Sequence, residues 1–545
     1  MRSDAGAHRS RDPRSQHGPR SQHGPRHPSR ATRPIRPARA GRNHSRGRVV
    51  LGLLAAALVV AGAIVAASTA FDGHRSTTGS PARQGSPVAS PAPPASASAK
   101  PAAPQQALWQ LTPSPAAAAA LPLRVLPSTA ALPKPAAISK QLAPLLADPA
   151  FAGDTVALVV ADARTGAVLV DDHGSALVGP ASTAKLAVAV AALHVLGPDR
   201  QFTTKVVLAP GGRLILIGGG DPTVAGPKAI GPHAPGYPAP AKLTDLARQS
   251  ASALKARGIT TVGLGYDASL FTGVQTAPGW KPVYLNEGDV APVSALEVDE
   301  GSPDLTKLPR SADPAALAAK EFAGLLKADG ITVAGTVVAS KAGSDDEVLA
   351  TIASPRLSAL VQRMLGRSDN DLAEALARHV AIATGKPATF AGGAAAVRAT
   401  LVRLGVPASG LAMADGSGLS TSDRLQPRAL VDIVDLVLDG RHVELSSMLQ
   451  ALPVAGFSGT LANRFTKPPA ASAAGRIFAK TGTLDGAYAL AGYLDDASGR
   501  VLSFALVANN ADLGAQSATT PPGATANTEA ALDRVAAGLA ACGCS

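Results

Sequence analysis

Twenty-three consecutive residues without a formal charge, Val49–Phe71, divide this chain into parts that cannot share one core. About 20 apolar residues span a bilayer core as a helix. Thirteen arginines and two aspartates lie in residues 1–48, and only Asp72, His74 and Arg75 follow the run directly. The positive-inside bias predicts residues 1–48 in the cytoplasm and residues 72–545 outside, held to the cell membrane by a single pass. The alternative is a protein secreted after signal cleavage, with Ser68 and Ala70 as the small residues before the cut. Its charged leader would be long for that role, and its apolar stretch exceeds the usual ~7–15 residues. No cysteine follows the run, which argues against a lipoprotein anchor. The head repeats RSQHGPR at Arg14–Arg20 and Arg20–Arg26 and reads as a disordered, lipid-facing tail.

Once the head is located, the net charge of +12 changes meaning. Beyond residue 48 there are 38 basic and 37 acidic residues, so the remainder is near neutral. That balance argues against a nucleic-acid-binding body. Residues 72–106 are mostly Pro, Ala and Ser and predict an extended spacer. Pro and Ala stay frequent to residue 135, so a packed body is expected from Ala136 to about Ala541. Aromatics are 3% of the chain against 46% hydrophobic, so its core must be built from Ala, Val and Leu. The two cysteines, Cys542 and Cys544, exclude a disulfide scaffold or a cysteine-rich metal module; a small ring between them and two reduced thiols are both open, and a ragged C-terminus is expected.

Within the body, Thr155–Asp162 and Ala167–Asp171 read as a hairpin, followed by a helix from Ser182. Phe202–Leu208 and Arg213–Ile217 read as a second hairpin. Helices are expected at 242–257, 314–329, 355–366, 370–383 and 391–404. Arg476–Lys480, Ala487–Leu494 and Val501–Asn509 read as three consecutive strands, and a last helix as Thr528–Ala541. The expected fold class is α+β, an α/β sandwich whose antiparallel sheet is flanked by helices.

Three short motifs carry chemistry. Ser182-Thr183-Ala184-Lys185 puts a hydroxyl and an amine three residues apart on one helical face. A nucleophilic Ser needs a base, and a desolvated Lys can serve. A second SxxK, Ser252–Lys255, lies inside a predicted helix and reads as ordinary helix surface. Ser368-Asp369-Asn370 sits between two predicted helices, where each residue type is also a good cap. Lys480-Thr481-Gly482-Thr483 ends a strand, where an edge can pair with an extended peptide and Lys and Thr can bind a carboxylate. Alone, each motif reads equally well as a cap or a turn. In the order SxxK, SDN, KTG they form the serine acyl-transferase set of penicillin-binding proteins and class A β-lactamases.

Residues 136–545 resemble the class C low-molecular-mass penicillin-binding proteins, the D-alanyl-D-alanine carboxypeptidase/endopeptidase family. GGGDPT (Gly218–Thr223), PGW (Pro278–Trp280), RSDNDLAE (Arg367–Glu374), DGSGLS (Asp415–Ser420) and LPVAGFSGTL (Leu452–Leu461) extend the match. The resemblance implies a β-lactamase/transpeptidase-like fold with a helical lobe and an inserted smaller domain, here about 200–350. It also implies hydrolysis of peptidoglycan stem peptides ending in D-Ala-D-Ala, with β-lactams as inhibitors and no cofactor. By it, Ser182 carries the acyl-enzyme, Lys185 accepts its proton and Ser368 relays a proton to the leaving D-Ala. Asn370 binds the substrate amide, Lys480 holds the network's charge, and Thr481, Gly482 and Thr483 line the carboxylate site. The backbone N–H groups of Ser182 and Thr483 form the oxyanion hole.

Only 182 residues separate Lys185 from Ser368, short for the family's nested insert, so a trimmed insert is expected. Thr421–Arg424 stands where the family pattern has a basic residue and an Asn. A serine β-lactamase is the first alternative, but ExxLN is missing between SDN and KTG. A non-catalytic wall-binding protein is the second, and the intact Ser and Lys speak against it. The six histidines beyond residue 48 show no metal-binding spacing, so no metal is expected.

Overall fold

The computed structural model describes residues 130–228, 238–304, 308–510 and 524–544. The basic head, the apolar run Val49–Phe71 and the spacer up to residue 129 lie outside the described residues. Among the described residues no helix is long and apolar enough to cross a membrane.

Helix α1 (Pro135–Leu146) opens the body with proline at its first position, where the missing N–H is no loss. Strands β1 (Asp154–Asp162) and β2 (Val168–Asp172) form a hairpin, and a 3-10 turn at Ala181–Ala184 leads into α2 (Lys185–Leu196). Next come β3 (Thr203–Ala209), β4 (Arg213–Ile217), α3 (Leu243–Ala256), β5 (Thr261–Asp267), α4 (Pro314–Ala328) and β6 (Glu347–Ala353). Four helices follow: α5 (Leu357–Arg367), α6 (Asn370–Ala383), α7 (Phe390–Arg403) and α8 (Pro427–Leu438). Strands β7 (Ile477–Leu484), β8 (Ala487–Asp495) and β9 (Val501–Asn510) precede the last helix, α9 (Ala524–Ala540).

The main sheet runs β7-β8-β9-β1-β2, every neighbour antiparallel. Both faces are covered, so its inner strands are continuously apolar rather than alternating. Leu158, Val160, Leu502, Phe504 and Leu506 pack with α1 and α9, while Val159, Ala489, Ala491, Ala505 and Val507 face α2 and α6. The second face carries the smaller side chains. That lets α2 pass close to the sheet, buried on every side from Lys185 to Leu193.

Residues 203–353 build a second, mixed sheet with its own core of Val206, Leu214, Leu246, Leu264 and Phe322. Here β3 is antiparallel to β4 and β6, but β5 lies parallel to β4 through the crossover helix α3. The sequence reading stopped at the β3–β4 hairpin and missed β5, whose two glycines dilute the strand pattern. It also missed α8, although Pro427 starts that helix in the favoured place.

Two further expectations are corrected. The helix expected from Ser182 begins as a 3-10 turn and becomes α-helical at Lys185. The C-terminus is not ragged: Cys542 is buried and bonded to Cys544, whose carbonyl accepts from the Lys134 amide at 2.7 Å.

Candidate active site

The turn before α2 sets the first pair. In a 3-10 turn residues i and i+3 eclipse, and Lys185 Nζ stands 2.9 Å from Ser182 Oγ. Ala181 sits at φ 45°, a left-handed conformation that an L-residue adopts only under constraint. Gly418 leaves room for the carbonyl of this residue, since an added Cβ there would stand 2.0 Å from the Ala181 carbonyl oxygen. Ser182 is half-exposed while Lys185 is fully buried, so the hydroxyl meets solvent and the amine does not.

Lys185 Nζ has three partners: Ser182 Oγ, Asn370 Oδ1 at 2.6 Å and the Ser417 carbonyl at 2.6 Å. A neutral amine has two N–H bonds and one lone pair. Donating to the two carbonyl-type oxygens leaves the lone pair for the Ser182 hydroxyl. Burial pushes Lys185 down to about 8, against the pull of Asp415, Glu374, Asp369 and Asp371. The second lysine repeats the arrangement: Lys480 Nζ meets Ser368 Oγ at 2.9 Å and the Thr481 carbonyl at 2.7 Å. Burial holds Lys480 well below its ordinary value, and repulsion from Lys185 and Arg464 adds to this.

Ser368 closes α5 at φ 61°, and Asp369 caps α6 by accepting from the Leu372 amide at 3.0 Å. The capping and the chemical readings of this triplet therefore both hold, on neighbouring residues. Behind it, Asp369 takes the Arg363 guanidinium at 2.9 Å, Arg363 also meets Glu300, and Arg310 meets Asp371. Asn370 Nδ2 donates to the Asp289 carbonyl at 2.8 Å, which ties the inserted region to the site.

The KTG strand is β7, at the edge of the main sheet. Gly482 is required there, since an added Cβ would lie 2.8 Å from the Pro180 carbonyl oxygen. Thr481 Oγ1 bonds Thr460 Oγ1 at 2.8 Å, and the exposed Thr483 donates to Glu529 Oε1 at 2.6 Å. All eight residues singled out in the sequence thus fall on one patch or its supports. The decoy Ser252 and Lys255 lie on the exposed face of α3.

Three contributors, Asp415, Glu374 and Trp280, carry no role that the sequence assigns, although their strings belong to the family resemblance. Asp415 is fully buried and accepts from the Gly418 amide, the Ser420 amide and Trp280 Nε1, each at 2.7 Å. Glu374 accepts from the Gly416 and Ser417 amides at 3.0 and 2.8 Å, and burial raises it to about 7. Together these carboxylates fix the loop whose Ser417 carbonyl holds Lys185. Only the assembled geometry shows that DGSGLS, RSDNDLAE and PGW form one device.

Comparison with known proteins agrees with this geometry. The sequence matches the D-Ala-D-Ala carboxypeptidase 3 (S13) family over residues 138–309 and 303–532. It is 37% identical over 391 residues to carboxypeptidase DacB of Mycolicibacterium smegmatis, covering 71% of this chain and 80% of that protein. A carboxypeptidase of Mycobacterium tuberculosis is 35% identical over 427 residues, covering 76% and 86%. The fold superimposes on penicillin binding protein 4 of Haemophilus influenzae with a TM-score of 0.59 at 22% identity, covering 74% of this chain and 99% of that one. The chain belongs to the D-Ala-D-Ala carboxypeptidase 3 (S13) family.

Proposed function

We propose that this protein is a serine D-Ala-D-Ala carboxypeptidase that cleaves peptidoglycan stem peptides through an acyl-enzyme on Ser182. The observation that carries this reading is the buried Lys185 amine, bonded at once to Ser182, Asn370 and the Ser417 carbonyl. In the proposed cycle Lys185 takes the Ser182 proton as Oγ bonds to the penultimate D-Ala carbonyl carbon. General-base help of this kind is worth ~10²–10⁴ in rate. The developing oxyanion is met by the Ser182 and Thr483 amides. When the C–N bond breaks, Ser368, backed by Lys480, passes a proton to the departing D-Ala amine. Asn370 holds the substrate amide, and Thr481 and Thr483 hold its terminal carboxylate. Water then releases the shortened peptide.

The same reading places the body outside the cytoplasm, where stem peptides are, with Val49–Phe71 as a single membrane anchor. The N-terminal charge bias supports that orientation. A related solved structure, at 23% identity, is described as penicillin binding protein 4 of Haemophilus influenzae complexed with a β-lactam. The proposal extends β-lactam inhibition to this chain. Incubation of the full chain with a stem pentapeptide should release free D-Ala, and Ser182→Ala should release none. Absence of D-Ala with rapid turnover of a β-lactam would establish a β-lactamase instead.

A further inference from the structure

His194 lies in the last turn of α2, and His442 and Glu444 lie just after α8. His194 Nδ1 is 2.7 Å from Glu444 Oε1, and His442 Nδ1 is 3.4 Å from the same oxygen. The rings stand edge-on with centroids 5.8 Å apart, and the three donor atoms lie within 4.8 Å of one another. Their side chains are 32%, 26% and 27% exposed, open to water but anchored by the packed elements that carry them.

We propose that His194, His442 and Glu444 form a binding site for a Zn²⁺-class divalent cation, outside the catalytic patch. Zinc takes imidazole nitrogen and carboxylate oxygen at ~2.0–2.2 Å, so tetrahedral donors stand about 3.4 Å apart. The His442–Glu444 pair already has that spacing, and the His194–Glu444 pair must open by about 0.7 Å to reach it. Binding moves each imidazole proton from Nδ1 to Nε2 and exchanges two hydrogen bonds for metal–ligand bonds. Water takes the fourth position. Two imidazoles and one carboxylate suit zinc, copper or nickel better than the oxygen-seeking magnesium or calcium.

A second trio of donors among the described residues, Glu300, Asp369 and Asp371, provides the contrast. Its charge is already met by Arg363 and Arg310. Among the described residues, only the two histidines pair with Glu444. His194 lies far along the chain from His442 and Glu444, so sequence spacing could not reveal the site. A cation there would clamp the far end of the helix that starts with Lys185 to the segment leading into Pro453, whose carbonyl accepts from the Ala479 amide beside Lys480.

Equilibrium dialysis of the full chain against ZnCl₂ tests this. His194→Gln and His442→Gln should each hold one zinc equivalent fewer than wild type, since the five histidines of residues 1–48 contribute equally to all three. Zinc should also raise the wild-type thermal midpoint and leave both variants unmoved. Far-UV circular dichroism identifies any variant that fails to fold, and the other variant then decides. Equal zinc content and equal zinc-dependent midpoints in wild type and a folded variant would overturn the proposal.

Discussion

Asp415→Asn tests whether the buried carboxylate organises the catalytic loop. Asp415 Oδ1 accepts from the Gly418 amide, while Oδ2 accepts from the Ser420 amide and Trp280 Nε1. An asparagine supplies one oxygen, which keeps the Ser420 amide and Trp280 Nε1 when it takes the Oδ2 place, so its NH₂ faces one N–H donor, the Gly418 amide. A donor left unsatisfied in a buried site costs ~1–3 kcal/mol, so the substitution should cost about 1–3 kcal/mol. Whole domains are stable by only ~5–15 kcal/mol, so the urea midpoint should fall markedly at unchanged slope. The charge has a separate signature. Asp415 is the strongest of the anions that favour protonated Lys185. Its loss should move the rise of β-lactam acylation to lower pH. An unchanged urea midpoint, or a rise moved to higher pH, would refute the reasoning.

Four further outcomes follow from the same geometry. Lys185 loses its proton as pH rises through about 8, so wild-type acylation should climb across that range in stopped-flow measurements with a chromogenic β-lactam. Its folded value lies below the ordinary 10.5 of a lysine, so the unfolded chain binds more protons between the two values. The Lys185 contribution to stability therefore grows with pH over that window, as a urea series would show. Gly418→Ala places a Cβ 2.0 Å from the Ala181 carbonyl oxygen at φ 81°, and should lower both acylation rate and thermal midpoint together. Glu529→Gln removes a carboxylate bonded to Thr483, where the substrate carboxylate is proposed to sit. An exposed charge contact is worth ~0.2–1 kcal/mol, so kcat/KM for a pentapeptide should rise up to about fivefold.

The elements legible in the sequence were those whose periodicity had one cause. The strands β7, β8 and β9 and the helices α4, α6 and α7 carry strong apolar patterns between clear breaks, and their positions followed. β5 escaped because Gly263 and Gly265 occupy strand positions, the latter packed against Ser340. The eight proposed site residues could be named from the sequence because three motifs in fixed order constrain one another. Asp415, Glu374 and Trp280 were not assigned roles, since a buried carboxylate that accepts from backbone amides has no spacing rule in sequence. The left-handed backbone of Ala181 was also invisible, because nothing in an alanine announces a strained φ. The residue that leaves room for its carbonyl, Gly418, stands more than 200 residues away.

The acyl-enzyme itself is the most direct measure of the central claim. The full chain treated with labelled penicillin should yield one modified peptide, the one carrying Ser182, and the adduct should hydrolyse slowly. Ser182→Ala should give no label, while Ser252→Ala should label like wild type, because its SxxK lies on an exposed helix face. Label that persists in Ser182→Ala, or that maps to a peptide without Ser182, would contradict the account.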